Sequence, residues 1–495
     1  MSIDSRTEGR WAIAPAIAAA VAHCLALRAG FVWLDHAHIE KKLAIAPFSS
    51  WGELFRQGFA GTGYYRPLVA ISLSIDALAR APWFFHATNL AWHAAASLFV
   101  TRAAEELGLT KRAALFAGVL FAVHPATGLV ANAIAFRSEA MLVVALLGLV
   151  IAHLRAKPVA AAIALLAGAL TKETALVLGP LFIVTLEVER RLGGRSQRAS
   201  KPTFIAEACA FALVLALRSA YAPPWRAEHP DLSISESIGT RLASMARAAA
   251  AIVVPLDRSA CDATRIASTA SLSSLAGLVV VLAVVWLALR RRGPALFLAL
   301  SMLPILQIVP VPRWWSLHYV YVPLAFATML VAERVDRSNR PHARWLAVAA
   351  ALLLGVVSLS DSRRFVSDAA LWEPEIAADA ACLEGQFYAG EAARIRGDLP
   401  AATARYEAAL SRDPRVLAYV DRRAALQNLA VTLLESGDAE AAWLILEPEI
   451  ARDDVSSELI YLAAKAANAT GNKQTAQRLI LRLRQRGWTG PAVTE

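Results

Sequence analysis

Apolar runs long enough to cross a bilayer recur over residues 1–360 and constrain the fold more than any other feature of the chain. A transmembrane helix needs about 17–25 mostly apolar residues. Eleven stretches approach that length: 11–32, 87–101, 113–124, 139–154, 158–170, 174–189, 203–219, 273–290, 294–309, 317–333 and 344–360. Composition agrees, since 57% of the residues are hydrophobic, 18% are charged and the mean hydropathy is +0.46. The sequence therefore predicts an all-α, polytopic membrane protein with about eleven transmembrane helices.

The positions of lysine and arginine predict how these spans are oriented, because basic residues near span ends favour the cytoplasmic side. With a cytoplasmic N-terminus, the basic clusters all fall on that side: Arg6/Arg10, 102–112, 155–157, 190–201, 290–292 and 334–344. The amphipathic stretch 241–255 is assigned to the interface. The C-terminus is then expected outside. Residue usage rich in Ala and Arg suits a bacterium, so we expect a bacterial inner-membrane protein.

The formal net charge of +10 needs no nucleic-acid partner. Most of the excess lies in predicted cytoplasmic loops, where it faces anionic headgroups, and no basic stripe with interleaved aromatic residues lies on a soluble segment. The four cysteines show no CxxC spacing. Cys24 and Cys209 fall in predicted spans, whereas Cys261 and Cys382 fall in outer segments, where they are able to pair or to remain apart.

From Asp361 onward the long apolar runs stop and an Ala-rich, charged helical pattern begins. Gly437 and Gly471, two expected turn glycines, lie 34 residues apart, which is the length of a tetratricopeptide (TPR) repeat. The sequence predicts a transmembrane domain over 1–360 and a TPR-like α-solenoid over 361–495. Such arrays usually hold a peptide or partner protein; the alternative is a plain cap on the membrane domain.

Ionisable residues collect in the connections that this topology places outside, and charges near membrane depth usually mark a function. The outer connections carry Asp35, His36, His38, Tyr65, Arg66, His86, Asn89, His124, Arg137, Glu139, Lys172, Glu173, Arg313, His318 and Tyr319. Four connections place a cation beside an acid or an aromatic residue, as an anionic lipid headgroup requires. Structural alternatives remain: an interfacial anchor for Arg313, an exposed ion pair between Lys172 and Glu173, and a metal site at Asp35, His36 and His38 that lacks a second ligand set.

A set of motifs in fixed order resembles the GT-C superfamily of polyprenyl-phosphate-sugar-dependent glycosyltransferases, and within it the protein O-mannosyltransferase-like, TPR-bearing proteins of the TMTC kind. The motifs are Phe31-Val-Trp-Leu-Asp-His-Ala-His-Ile39, Tyr65-Arg-Pro67, Phe85-His-Ala-Thr-Asn89, Phe121-Ala-Val-His-Pro125, Phe136-Arg-Ser-Glu139, Thr171-Lys-Glu-Thr174 and His318-Tyr-Val-Tyr321. The family usually has two adjacent acids where this chain has Leu34-Asp35, and a Glu-Arg-Tyr-like triplet where it has Leu317-His318-Tyr319.

The resemblance implies an inverting transfer of mannose or another hexose from a polyprenyl-phosphate donor to a protein or glycan hydroxyl at the outer membrane face, with Asp35 as general base. It implies phosphate binding by Arg66, Arg137, Lys172, Arg313 and His318. Acceptor or sugar positioning is expected from His36, Tyr65, His86, Asn89, His124, Glu139, Glu173 and Tyr319. No cofactor is required by the sequence, and the solenoid is expected to hold the acceptor. Two alternatives stay open: a non-catalytic TPR scaffold and, less favoured, a transporter.

Overall fold

The computed structural model describes residues 12–192, 200–223, 229–291, 293–338, 340–452 and 454–491. Arg6, Arg10, Arg292 and most of the 190–201 basic cluster lie outside these residues. The helices of the first 367 residues are α1 (Ala14–His23), α2 (Pro67–Ala77), α3 (Pro82–Glu106), α4 (Lys111–Val123), α5 (Gly128–Asn132), α6 (Arg137–Leu154), α7 (Pro158–Thr171), α8 (Ala175–Leu192), α9 (Lys201–Tyr221), α10 (Ile234–Val253), α11 (Leu272–Arg291), α12 (Pro294–Ser301), α13 (Tyr321–Asp336) and α14 (Pro341–Asp361).

The chain divides into two compact units, one of residues 1–260 with 266–367 and one of residues 261–265 with 368–495. In the first unit, α3 packs against α1, α4 and α6, and α6 in turn packs against α7. The prediction of an all-α fold is confirmed, because helices account for nearly all regular structure in the described residues.

The expectation of about eleven spans is not confirmed. Four of the described helices are long and apolar enough to cross a membrane: Ile134–Leu154, Lys201–Tyr221, Leu272–Arg290 and His342–Val366. A fifth span results if Lys111–Val123 and Pro125–Asn132, which meet at a bend of 57°, are taken together. Three of the other apolar runs form shorter helices, Ala14–Arg28, Pro158–Thr171 and Pro294–Leu306. Pro158 and Pro294 each start a helix, because proline lacks the N–H that would continue a preceding one.

Burial separates the apolar helices into two kinds. Within Ile134–Leu154, 72% of the apolar window is buried by neighbouring helices, whereas the figure is 22% for Lys201–Tyr221, 17% for Leu272–Arg290 and 11% for His342–Val366. Long apolar helices that leave most of their surface exposed are costly in water, but a bilayer solvates them. These three helices indicate that the protein associates with a membrane.

Gly277 allows two helices of the first unit to approach closely. A Cβ at this position of α11 would collide with the backbone carbonyl of Leu242 in α10. Backbone atoms cannot move aside as a flexible side chain can, so the two helices would have to separate. Gly355 in α14 is a matched comparison, because a Cβ there would meet the Val123 side chain at an ordinary 3.6 Å.

We therefore expect Gly277→Ala to lower the melting temperature of the detergent-solubilised protein by several degrees, since overpacking costs about 1–3 kcal/mol. Gly355→Ala should leave the melting temperature unchanged or raise it, because alanine favours a helix by about 1 kcal/mol over glycine. Thermal unfolding of the two variants measures the difference. Equal melting temperatures would show that α10 and α11 do not depend on this contact.

The second unit consists of helices α15 (Asp368–Ala378), α16 (Leu383–Ile395), α17 (Leu399–Leu410), α18 (Arg422–Glu435), α19 (Ala439–Ile450), α20 (Ser457–Ala469) and α21 (Lys473–Gln485). Consecutive helices from α15 to α21 pack against each other. The expected turn glycines Gly397, Gly437 and Gly471 adopt φ values of +79°, +85° and +79°, a region that favours glycine. The assignment to the TPR class stays a prediction, as does the domain boundary at 360/361.

A short segment from the first part of the sequence belongs to this second unit. Strand β1 (Ala263–Arg265) pairs antiparallel with β2 (Val416–Ala418), and a disulfide joins Cys261 to Cys382, 121 residues apart in sequence. Both features attach residues 261–265 to the helices of the second unit. Cys24 and Cys209, in contrast, are free and exposed.

We expect Cys261→Ser with Cys382→Ser to lower the free energy of unfolding by about 2–5 kcal/mol, as is typical when a native disulfide is removed. Cys24→Ser with Cys209→Ser is the matched control and should change it little. Limited proteolysis and thermal unfolding, each with and without reductant, compare the variants. A reductant effect that persists in the Cys261/Cys382 variant would contradict this role for the disulfide.

Candidate functional site

The first loop, residues 35–66, folds over the ends of α2 and α3 and carries Asp35 at its start. Ile39, Leu54 and Phe59 of the loop are buried in one apolar cluster with residues of α2 and α3. The Asp35 side chain is fully buried. Its carboxylate accepts hydrogen bonds from the backbone N–H groups of Val32, at 3.3 Å, and Ala135, at 3.0 Å. Such donors stabilise the ionised form, so the structure holds Asp35 as an acceptor.

Glu173 connects the end of the first loop to the turn between α7 and α8. One oxygen of Glu173 accepts from the backbone N–H of Tyr65 at 2.8 Å, and the other accepts from the Arg66 guanidinium at 3.0 and 3.1 Å. Arg218 of α9 lies 3.5 Å from the first oxygen. Arg66 also stacks over the Tyr64 ring at 4.0 Å. Glu173 therefore accepts from Arg66, and the structure does not show the alternative of an exposed ion pair between Lys172 and Glu173.

Lys172, the neighbour of Glu173, bonds in another direction. Its ammonium contacts the Glu139 carboxylate at the start of α6, and His318 Nε2 lies 3.5 Å from the same carboxylate. His318 Nδ1 lies 2.6 Å from the Ser316 hydroxyl. Burial, with the charges of Lys172, Arg313 and Arg66, lowers the pKa of His318 well below its usual value. The imidazole is therefore neutral and serves as a hydrogen-bonding group.

Arg313 and His38 also interact electrostatically with these residues. Burial, together with the charges of Arg66 and Arg313, lowers the pKa of His38 to about 4, and Nδ1 of His38 has no hydrogen-bond partner among the described residues. Arg313 lies over the Trp33 ring at 5.4 Å. We call Arg66, Lys172, Arg313, Glu139 and Glu173 the charged cluster. It holds three basic and two acidic side chains, so its formal net charge is +1, and burial with the Arg66 charge lowers the pKa of Lys172 well below its ordinary value.

Arg137 lies outside the charged cluster, although it was expected to bind phosphate. Its side chain is fully buried, lies 2.5 Å from the Asp76 carboxylate, and donates to Ser72 Oγ and to the carbonyl of Phe85. These bonds join the start of α6 to α2 and α3. A phosphate contact would have to replace a buried ion pair, which is costly.

The remaining expected residues mostly hold the backbone. His86 bonds to the carbonyl of Gly30 at 3.0 Å, Asn89 donates to the carbonyls of Val130 and Ala131, and His124 bonds to the carbonyl of Ile252.

The other two lie at the surface or at a turn. His36 pairs with the exposed Glu40, and the Tyr319 hydroxyl donates to the carbonyl of Arg313. The roles of these residues in binding sugar or acceptor stay predictions.

Sequence reasoning missed three contributors, namely Asp76, Arg218 and Trp33. Asp76 could have been found from the sequence, because it is a lone acid inside the apolar stretch 67–77. An unpaired carboxylate there would cost free energy, so a buried partner is expected. The distant partners of Arg218 and Trp33 leave no trace in local spacing. Within the described residues, no group of three or more His, Cys, Asp or Glu side chains is arranged to hold a metal ion.

The pH dependence of stability follows from Glu173. Burial alone would raise the pKa of its carboxyl, but the Arg66 charge and the Tyr65 N–H outweigh burial, so the pKa lies below the ordinary 4.5. A group with a lowered folded-state pKa stabilises the protein above its unfolded pKa, and this stabilisation is lost as pH falls through the folded value. We expect wild-type protein to lose stability below about pH 4.5 partly for this reason.

Glu173→Gln should be less stable than wild type at pH 7 and should lose less stability on acidification to pH 4. Glu53→Gln, which affects an exposed pair with Arg56, is the control and should behave as wild type. Melting temperatures in detergent at the two pH values measure the slopes. Parallel slopes for wild type and Glu173→Gln would contradict the assignment.

Comparison with known proteins finds one similarity that covers a limited part of the chain. Over 110 residues the chain is 36% identical to the protein O-mannosyl-transferase Tmtc2 of Drosophila melanogaster, an alignment that covers 20% of this chain and 12% of that protein. The aligned part is thus a small fraction of the relative's length. No family model matches the chain, and no solved structure is significantly similar to it.

Proposed function

We propose that the protein is a membrane glycosyltransferase that transfers a hexose, such as mannose, from a polyprenyl-phosphate donor to a hydroxyl of a protein or glycan. The charged cluster is the observation that carries this proposal. Three widely separated connections bring Arg66, Lys172 and Arg313 into one net-positive group beside aromatic rings. That combination suits an anionic phosphate next to a sugar. The partial similarity to an O-mannosyl-transferase supports the same class of reaction.

The chemistry assigned to the cluster is stabilisation of the departing lipid phosphate. Arg66 and Lys172 now contact the carboxylates of Glu173 and Glu139, which occupy the positions that phosphate oxygens would take. A phosphate that enters would compete for these donors, and Arg313 and neutral His318 would add further contacts. Because negative charge on the phosphate increases as the sugar leaves, such donors stabilise the transition state more than the ground state.

Asp35 is proposed as the base that takes the acceptor proton. Two backbone N–H groups donate to its carboxylate, but its burial means that an acceptor reaches it only after the first loop moves. The cavity that Arg66 lines with loop residues such as Leu54 and Phe59 measures about 10 Å³, roughly the space of one water molecule. In the proposed cycle this arrangement is the closed form. Opening of the first loop is part of the proposed cycle.

A non-catalytic scaffold is the second candidate, and the burial of Asp35 favours it. A carboxylate whose two oxygens both accept backbone N–H groups is also what a purely structural loop anchor requires. The two functions predict different results for a substitution that preserves shape. Asparagine retains one carbonyl acceptor but cannot accept a proton at neutral pH.

We further propose a bacterial inner-membrane location in which the second unit lies outside the cytoplasm. The Cys261–Cys382 disulfide supports this side, because disulfides persist in oxidising compartments and are rare in the cytosol. The second unit, as a TPR-like array, would then face protein acceptors in the same compartment.

The decisive experiment supplies polyprenyl-phosphate mannose, glucose or arabinose, with extracted envelope proteins, to the purified protein in detergent. Wild type should incorporate sugar from at least one donor. Asp35→Asn should reduce incorporation by about 10²–10⁴-fold, the usual contribution of a general base, without lowering the melting temperature in proportion. Glu53→Gln, which removes an exposed acid of the same loop that pairs with exposed Arg56, is the matched control and should retain wild-type turnover.

Three outcomes separate the candidates. Loss of turnover in well-folded Asp35→Asn supports the base. Unchanged turnover in that variant removes Asp35 from the chemistry while the transferase stands. No incorporation by folded wild type from any of the donors would contradict the proposed reaction and favour the scaffold.

A further inference from the structure

An arginine-lined cavity lies in the second unit, far along the sequence from the charged cluster. It has a volume of about 370 Å³, room for two or three side chains of a ligand. The lining comes from the end of α17, the start of α18, the end of α19 and the start of α20. These residues are Leu410, Arg412, Arg422, Arg423, Leu426, Glu449, Arg452, Asp454, Val455 and Leu459. The cavity therefore lies at an edge of the array, where helices begin and end.

The charges of the lining do not balance. Among the described residues four arginines face two carboxylates, those of Glu449 and Asp454, and Asp453 between Arg452 and Asp454 lies outside the described residues. Arg452 lies 3.2 Å from Asp454 and 3.8 Å from Glu449, and at longer range Arg423 interacts with Asp454 and Arg422 with Glu449. The side chains of Arg452, Asp454 and Glu449 are all at least one-third exposed, and exposed pairs of this kind are weak.

The other three arginines differ in how many contacts they make within the described residues, and therefore in how readily they can bind a ligand. Arg422 donates to the backbone carbonyl of Leu410 at 2.9 Å and makes no ion pair among the described residues. Arg412 and Arg423 make neither a hydrogen bond nor an ion pair within the described part of the chain, and both are exposed. Partial burial and the charge of Arg412 lower the pKa of Arg422. Such repulsion between neighbouring guanidinium groups is relieved when an anion binds between them.

The uncharged part of the lining indicates the kind of anion. Leu410, Leu426, Val455 and Leu459 form an aliphatic floor, of which Val455 and Leu459 are buried. The described residues of the lining include no aromatic ring, hydroxyl or amide side chain, the groups that usually recognise sugars. Aliphatic surface beside guanidinium groups instead matches a peptide that carries both carboxylates and aliphatic side chains.

We propose that this cavity binds an acidic peptide segment of a partner protein. Carboxylates of the peptide pair with Arg412, Arg422 and Arg423, and an aliphatic side chain of the peptide packs on the aliphatic floor. This site is independent of the proposed transfer reaction. It lies at the helix ends, whereas the charged cluster belongs to the first unit. The binding would localise a partner whether or not sugar is transferred.

The test measures fluorescence anisotropy of a labelled peptide of about twelve residues, rich in Glu, Asp and Leu, with the full chain in a neutral detergent. Arg412→Ala with Arg423→Ala should weaken binding at least tenfold. Arg478→Ala with Arg484→Ala, which removes two exposed arginines of α21 outside the cavity, should leave binding unchanged. Affinity should fall as salt rises from about 50 to 300 mM, because exposed charges are screened. The melting temperatures of both double variants confirm that they fold.

A peptide in which Gln and Asn replace Glu and Asp should bind at least tenfold more weakly than the acidic one. Equal binding of the two peptides, or equal affinity in the cavity variant and wild type, would overturn the proposal. Vesicles with and without phosphatidylglycerol form a further arm. Binding to anionic vesicles that depends on Arg412 and Arg423, with no binding of the acidic peptide, would assign the cavity to a membrane surface and refute the peptide site.

Discussion

The buried ion pair between Arg137 and Asp76 is the constraint on which the geometry of the first unit depends. Neither side chain is open to solvent; the two charges lie 2.5 Å apart, and hydrogen bonds with Ser72 and Thr88 add to their stabilisation. The same guanidinium donates to the carbonyl of Phe85 in α3. The starts of α3 and α6 are thereby fixed against α2. Apolar packing alone would allow these helices to slide by a turn, whereas a buried charge accepts only one register.

The first loop takes its position from this arrangement. Ala135, two residues before Arg137, donates to Asp35 and holds the start of the loop. Tyr65 and Arg66 at the other end bond to Glu173, beside α8. The loop is therefore held at both ends by carboxylates and in the middle by its own apolar residues. Ends held by exchangeable polar contacts allow a loop to open without unfolding the helices beneath it.

Local patterns predicted helix formation and the turn positions of the charged residues, but not the partners of those residues. An exposed pair between Lys172 and Glu173 was one alternative that the sequence left open, but Lys172 contacts Glu139 and Glu173 accepts from Arg66. Partners so distant in sequence are set by helix packing. The count of spans was overestimated for a related reason. An apolar run shows that a segment is buried or faces lipid, whereas its length as one helix depends on prolines such as Pro125 and Pro294.

The disulfide limits the topologies that are open to the candidate spans of this chain. Cys261 and Cys382 can join only if both reach the same compartment, so the chain between them has to cross the membrane an even number of times. Two of the described helices that are suited to span, Leu272–Arg290 and His342–Val366, lie in that interval. An odd number of crossings there would leave the two thiols on opposite sides. This single covalent bond therefore requires an even number of crossings between the two cysteines, and the requirement does not depend on the total number of spans.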